Sequence, residues 1–129
     1  MSEKFNLEIV TPDKLFLKSE VTEVVIPSFE GELGILKDHI PLITFLRPGV
    51  ISVKNNEIEK YFIEEGTVEF SNNNLLILTS EVKNIKDIDR KFVDEIILKS
   101  EKNIANPDIS DKDKYLLSYT IETLKEIRN

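Results

Sequence analysis

Over the first two thirds of the chain, apolar and polar residues alternate in short runs. Phe5-Asn6-Leu7-Glu8-Ile9 is the clearest, and after a break at Thr11-Pro12-Asp13 the pattern resumes in Lys14 to Leu17 and Val21 to Ile26. Further runs cover Leu42 to Leu46, Val50 to Val53, Ile58 to Ile63, Thr67 to Phe70 and Leu75 to Thr79. A period of two puts successive side chains on opposite faces, so each run predicts a short half-buried strand. Pro48-Gly49, Asn55-Asn56, Gly66 and Ser71-Asn72-Asn73-Asn74 separate them with residues that accept tight or left-handed turns. Strands at this spacing predict an all-β sandwich or barrel. The one long stretch without a period is Pro27 to Pro41, where two prolines, Gly31 and Gly34 predict an irregular connection.

From Ile85 the period lengthens to between three and four. Ile85, Ile88, Phe92 and Ile96, with Val93, Ile97 and Ile104, form one broad apolar face, which predicts an amphipathic helix with Asp87 as its N-cap. Asn106-Pro107 ends it, because proline lacks the N–H that an interior helical turn needs. Ser110-Asp111-Lys112-Asp113 sets a hydroxyl at a cap and a carboxylate three residues on, which starts a second helix. Leu117, Ile121 and Leu124, flanked by Leu116 and Ile127, form its predicted stripe. The reading is thus a sandwich domain over residues 1–85 and an antiparallel two-helix hairpin over 86–129. A hairpin of this size buries about eight to ten large apolar side chains, each worth roughly 1.5–3 kcal/mol, against a comparable ordering entropy. Its independent stability should be marginal.

Composition narrows the function classes. The chain has 129 residues, 40% of them hydrophobic, and no cysteine, so disulfides and thiolate metal sites are excluded. No apolar run reaches the roughly 20 residues of a membrane-spanning helix, and the first strand begins so early that no signal peptide is expected. Membrane association would therefore come through a partner protein. Residues 1–85 hold 8 Lys/Arg against 14 Asp/Glu, and residues 86–129 hold 9 against 10, so the net charge of −7 lies mostly on the sandwich. An acidic surface repels phosphate backbones and disfavours nucleic acid.

Candidate chemistry is sparse. The single histidine, His39, lies beside Asp38, but no nucleophile motif accompanies the pair, and a packing or interface role suits it better. Neither glycine-rich phosphate-binding pattern occurs. In Glu30-Gly31-Glu32-Leu33-Gly34 the carboxylates would repel phosphate, yet they suit basic or amide groups on a protein. No catalytic residue and no metal ligand is assigned.

The stretch Val24-Val25-Ile26-Pro27-Ser28-Phe29-Glu30-Gly31-Glu32-Leu33-Gly34-Ile35-Leu36, followed by His39-Ile40-Pro41-Leu42-Ile43-Thr44 and Arg47-Pro48-Gly49-Val50-Ile51, resembles the epsilon subunits of bacterial F-type ATP synthases. The resemblance extends from Phe5 to Pro12 and through the layout of a sandwich and two helices. It implies a sandwich of about ten strands and a non-catalytic part in the central stalk, on the cytoplasmic face of the plasma membrane. It further implies that the sandwich binds gamma, near Thr44, and that Ser28, Phe29, Glu30, Gly31, Glu32 and His39 face the c-ring. Lys37-Asp38 and Ile40 around His39 depart from the Pro-Gly and Ala of many relatives, so the turn there is expected to be reshaped.

Some such relatives bind ATP through an Ile/Leu-Asp-x-x-Arg-Ala motif. Ile88 and Asp89 match it, but Phe92 and Val93 replace the arginine and alanine. An aromatic ring cannot make arginine's bidentate contact to phosphate, so no ATP cofactor is expected. The basic residues of the hairpin, including Arg90, Lys99, Lys125 and Arg128, are interspersed with nearly as many acids. Contacts of the hairpin with alpha and beta subunits, and inhibition of ATP hydrolysis through them, stay open at this point. A free sandwich adaptor that recruits a basic partner is the rival reading, and an enzyme built on Asp38-His39 a distant third.

Overall fold

A computed structural model describes residues 3–128. Ten strands come first: β1 Phe5–Val10, β2 Leu15–Val21, β3 Glu23–Ser28, β4 Gly31–Ile35, β5 Leu42–Leu46, β6 Gly49–Asn55, β7 Glu57–Ile63, β8 Gly66–Ser71, β9 Asn74–Thr79 and β10 Val82–Asn84. They pair in the order β10-β7-β6-β3-β5-β8-β9-β1-β2, with β4 joined to β3. Phe16 of β2 meets Tyr61 of β7 edge-on at 5.7 Å, so one end of this order comes back against the other and the sheet closes over its own core. All pairings are antiparallel except that of β1 with β9, which runs parallel from Asn6↔Asn74 to Val10↔Leu78.

The alternation predicts the core well. Phe5, Leu7 and Ile9 point inward from β1, Val68 and Phe70 from β8, and Leu75 and Ile77 from β9, each no more than 2% exposed. Turns follow the expected chemistry: Asn56, Asn72 and Asn73 all have positive φ, which asparagine tolerates better than most residues. At Gly66 the requirement is space instead, since a Cβ there would run into the Leu78 carbonyl across the β8–β9 pair.

The segment from Pro27 to Pro41 is more regular than its prolines suggest. β3 continues through Pro27 to Ser28, turns at Phe29 and Glu30, and returns as β4, with Pro27 opposite Glu32 and Ser28 opposite Gly31. Pro27 is tolerated because its carbonyl still accepts, from the Arg47 N–H at 3.0 Å, and the ring's missing N–H costs one bond only. Gly31 supplies the turn at φ +124, a region closed to other residues.

The first helix starts later than the apolar period suggests. Ile85–Asp87 form one 3₁₀ turn capped by Asn84, Ile88 and Asp89 are extended, and α1 spans Arg90–Ile104. Asp89, not Asp87, is the N-cap: its Oδ1 accepts from the Phe92 N–H at 2.8 Å. α2 spans Asp111–Arg128, and Ser110 Oγ accepts from the Asp113 N–H at 3.1 Å as the capping pattern predicts. Its buried stripe is Leu116, Thr120, Thr123 and Leu124, with Leu117 and Ile121 at the margin. The buried stripe is rotated from the predicted one because Thr120 and Thr123 lie within it. Thr120 satisfies its hydroxyl on the Leu116 carbonyl at 3.2 Å and buries its methyl group.

The helices lie against the outer face of the sandwich. Val93, Ile97 and Leu124 surround Phe62 of β7, and Phe92 packs at the edge of this cluster beneath the Lys83 ammonium, 4.2 Å from its ring centre. Arg128 bonds Asp94 at 2.9 Å across the hairpin.

Candidate functional site

The acidic stretch becomes the β3–β4 turn. Ser28 is buried, and its hydroxyl donates to the Gly31 carbonyl at 2.6 Å while accepting from the Glu30 N–H at 3.3 Å. It builds the turn from inside. Phe29, Glu30 and Glu32 are exposed around it, and the Cα of Gly31 faces open space, with nothing within 4 Å of the place a Cβ would take. The turn therefore offers two carboxylates, one aromatic edge and an uncovered backbone to whatever meets it.

His39 stands elsewhere. It follows β4 and precedes β5, whereas the turn precedes β4 and meets the far end of β5 through Ser28↔Leu46. The two sites are thus a strand's length apart, roughly 13–17 Å for five residues. The His39 ring is half-buried, edge-on to Phe70 at 6.0 Å, with Nδ1 2.7 Å from the Ile40 carbonyl. Asp38 just before it has φ +66 and is held from both sides: its N–H donates to Asn73 Oδ1 at 2.7 Å, and Asn73 Nδ2 donates to its Oδ1 at 3.0 Å. Asp38 is thereby committed to the turn, not to His39.

Thr44 sits in the middle of β5 opposite Val68, on the face shared with Leu42 and Leu46, and is half-buried. The residues that β5 presents outward are its neighbours Ile43 and Phe45, 80% and 63% exposed. Leu78 continues this apolar surface on β9, in register with Thr67 beside Phe45. Sequence reasoning misses Ile43 and Phe45 because every residue of β5 but Thr44 is apolar, so the alternation gives no sign of which set faces out.

The positions of the ATP motif are occupied structurally. Ile88 and Phe92 pack against the hairpin core, the Asp89 carboxylate caps α1, and Arg90 and Arg128 both approach Asp94, at 3.9 and 2.9 Å. At the other end of the hairpin, a cleft of about 620 Å³ separates the helices from the sandwich, lined by Glu64, Lys99, Ser100, Asn106 and Asp113 among others. Burial raises the Glu64 carboxyl above its usual range, Glu81 and Glu65 add to this, and Lys99 opposes it. No helix among the described residues is long and apolar enough to cross a membrane.

Comparison with known proteins accounts for this arrangement of sandwich and hairpin without catalytic groups. The family described as ATP synthase, Delta/Epsilon chain, beta-sandwich domain matches residues 4–85. The ATP synthase epsilon chain of Pelagibacter ubique is 53% identical over 98% of this chain and 99% of its own length. That of Parvibaculum lavamentivorans is 33% identical, covering all of this chain and 98% of the relative. The fold recurs in a chain of the Euglena gracilis mitochondrial ATP synthase, with a TM-score of 0.75 at 21% identity, over 95% of this chain and 78% of that one. It recurs again in the central stalk and c-ring assembly of the Tetrahymena thermophila mitochondrial enzyme, with a TM-score of 0.68 at 15% identity, over 99% and 98%. This chain belongs to the ATP synthase epsilon chain family, the non-catalytic accessory subunits of the enzyme's central stalk.

Proposed function

We propose that the chain fastens gamma to the c-ring of a proton-driven ATP synthase on the cytoplasmic face of a bacterial plasma membrane. The sandwich provides the adhesion and the hairpin is the adjustable part. The β3–β4 turn carries this reading: exposed Glu30 and Glu32 beside an open Gly31 suit the amide and basic groups of polar loops. The apolar outer edge of Ile43 and Phe45, flanking Thr44, suits the larger and drier contact with gamma. His39 stands at the opposite end of β5 from the turn, with Ile43 and Phe45 between them, so the ring contact is carried by the turn and His39 lies beside the gamma contact.

Charge reversal tests the assignment. The double variant Glu30→Lys, Glu32→Lys should bind purified c-ring at least about tenfold more weakly, as expected when like charges face each other across an interface, and bind gamma unchanged. Undiminished ring binding would remove the turn from the ring contact. With Phe92 in place of arginine, calorimetric titration with ATP should give no binding heat. Truncation after Asp87, which keeps β10 of the sandwich, tests inhibition by the hairpin: if the ATPase rate of the reconstituted complex does not rise, the hairpin is no brake.

A further inference from the structure

Arg47 touches both the β3–β4 turn and the helical hairpin. Its N–H donates to the Pro27 carbonyl at 3.0 Å and its Nε donates to the Ser28 carbonyl at 3.1 Å, so it grips β3 where the turn begins. Its guanidinium carbon lies 4.3 Å from the centre of the Tyr119 ring on α2. Beside it, Phe29 at the tip of the turn meets Tyr115 at 5.5 Å, and Tyr115 meets Tyr119 at 4.9 Å. The turn and α2 are therefore joined by two adjacent contacts one helical turn apart.

Arginine suits this place because a planar cation can donate along its edge while stacking through its face. A lysine can do one or the other. The contact also lies in the first half of α2, well before Leu124, which anchors the helix to Phe62. The hairpin core and the Arg47 contact thus hold different parts of one helix.

We propose that Arg47 couples the β3–β4 turn to the docked hairpin: seating α2 orders the turn, and whatever grips the turn holds α2 in place. Coupling between two sites is reciprocal, so neither effect can exist without the other. The consequence for ring binding rests on the function proposed above, whereas the coupling itself does not.

Amide hydrogen exchange on the full chain tests it, read at Phe29 and Glu30. Tyr119→Leu keeps bulk but removes the aromatic face, and should speed exchange there about three- to fivefold, the factor expected of a partly exposed cation–π contact. Ile9 and Ile77 in the sandwich should stay unchanged. Tyr119→Phe keeps the aromatic face and should keep the parent rate. Because Tyr119 also touches Tyr115, which meets Phe29, Tyr119→Leu is repeated on top of Arg47→Lys, where it should add no further increase; a full additional increase would route the effect through Tyr115 and overturn the part of Arg47. Equal rates at the turn in Tyr119→Leu and the parent would overturn the coupling. If the turn loosens, c-ring affinity should fall by the same factor. A loosened turn with full ring affinity would uphold the coupling and remove the turn from the ring contact.

Discussion

The sandwich and the hairpin are stabilised on different scales. Among the described residues, seventeen buried side chains from strands across the whole sheet form one core in the sandwich, with thirteen of them no more than 1% exposed. The hairpin core has four buried members, and one of those, Phe62, belongs to the sandwich. A domain of the first kind stands alone, whereas an element of the second kind is stable only where it is seated. The chain thus joins a rigid body to a detachable one, and its mechanical and adjustable roles fall on separate residues.

The comparison can be broken most sharply in the sandwich. Phe70→Ala should cost about 3–5 kcal/mol, the usual range for emptying an aromatic site, since Phe70 is 1% exposed and packs edge-on to Phe5 at 5.6 Å. Urea denaturation should show both regions unfolding earlier, together. Leu124→Ala should cost the hairpin about 2–5 kcal/mol, and here the regions should part. Hydrogen exchange would rise throughout α1 and α2 while Leu7, Ile9 and Ile77 keep their protection. A global loss instead would make the two regions one cooperative unit. Asp89→Ala removes the cap of α1 and should cost about 1 kcal/mol, seen as lost helicity by circular dichroism with the sheet signal intact.

The smallest effect lies in the cleft between them. The Glu64 carboxyl is raised by burial first and by Glu81 and Glu65 next. Glu81 and Glu65 belong to the sandwich and act in both states, so docking contributes the burial, against the opposing pull of Lys99. Between the ordinary carboxylate value and the raised one the docked state binds more protons, and docking weakens as pH climbs through that window. Glu64→Gln should flatten this slope in a pH series of hairpin exchange rates and leave sandwich exchange unaltered. A slope that persists would assign it to another group.

What the sequence makes legible follows the same division. Strand alternation and the change of period at Ile85 can be read because burial on one face imposes them directly, and Phe5, Leu7 and Ile9 are inside as expected. The β3–β4 return was hidden by Pro27, whose missing N–H reads as a strand breaker but is harmless where the carbonyl is still bonded. The α1 cap slipped by two residues because Asp87 and Asp89 are equivalent as letters, and only the extended backbone at Ile88 separates them. The acidic turn was legible as a stretch. The separation of His39 from it was not, since proximity along the chain hides a strand that carries the backbone away. Nothing in residue types alone could reveal the Arg47–Tyr119 contact, which joins positions from different regions.

The parallel pairing of β1 with β9 sets a schedule for making the protein. Asn6 bonds Asn74 side chain to side chain, 68 positions further along the chain. At the 5–20 residues per second of protein synthesis, the first strand waits about 3–14 seconds for its partner. During that time Phe5, Leu7 and Ile9 form an apolar edge that β2 can cover on one side only. The ribosome must therefore finish nearly the whole sandwich before its oldest strand finds a permanent place, and the hairpin emerges onto a surface that has only just closed.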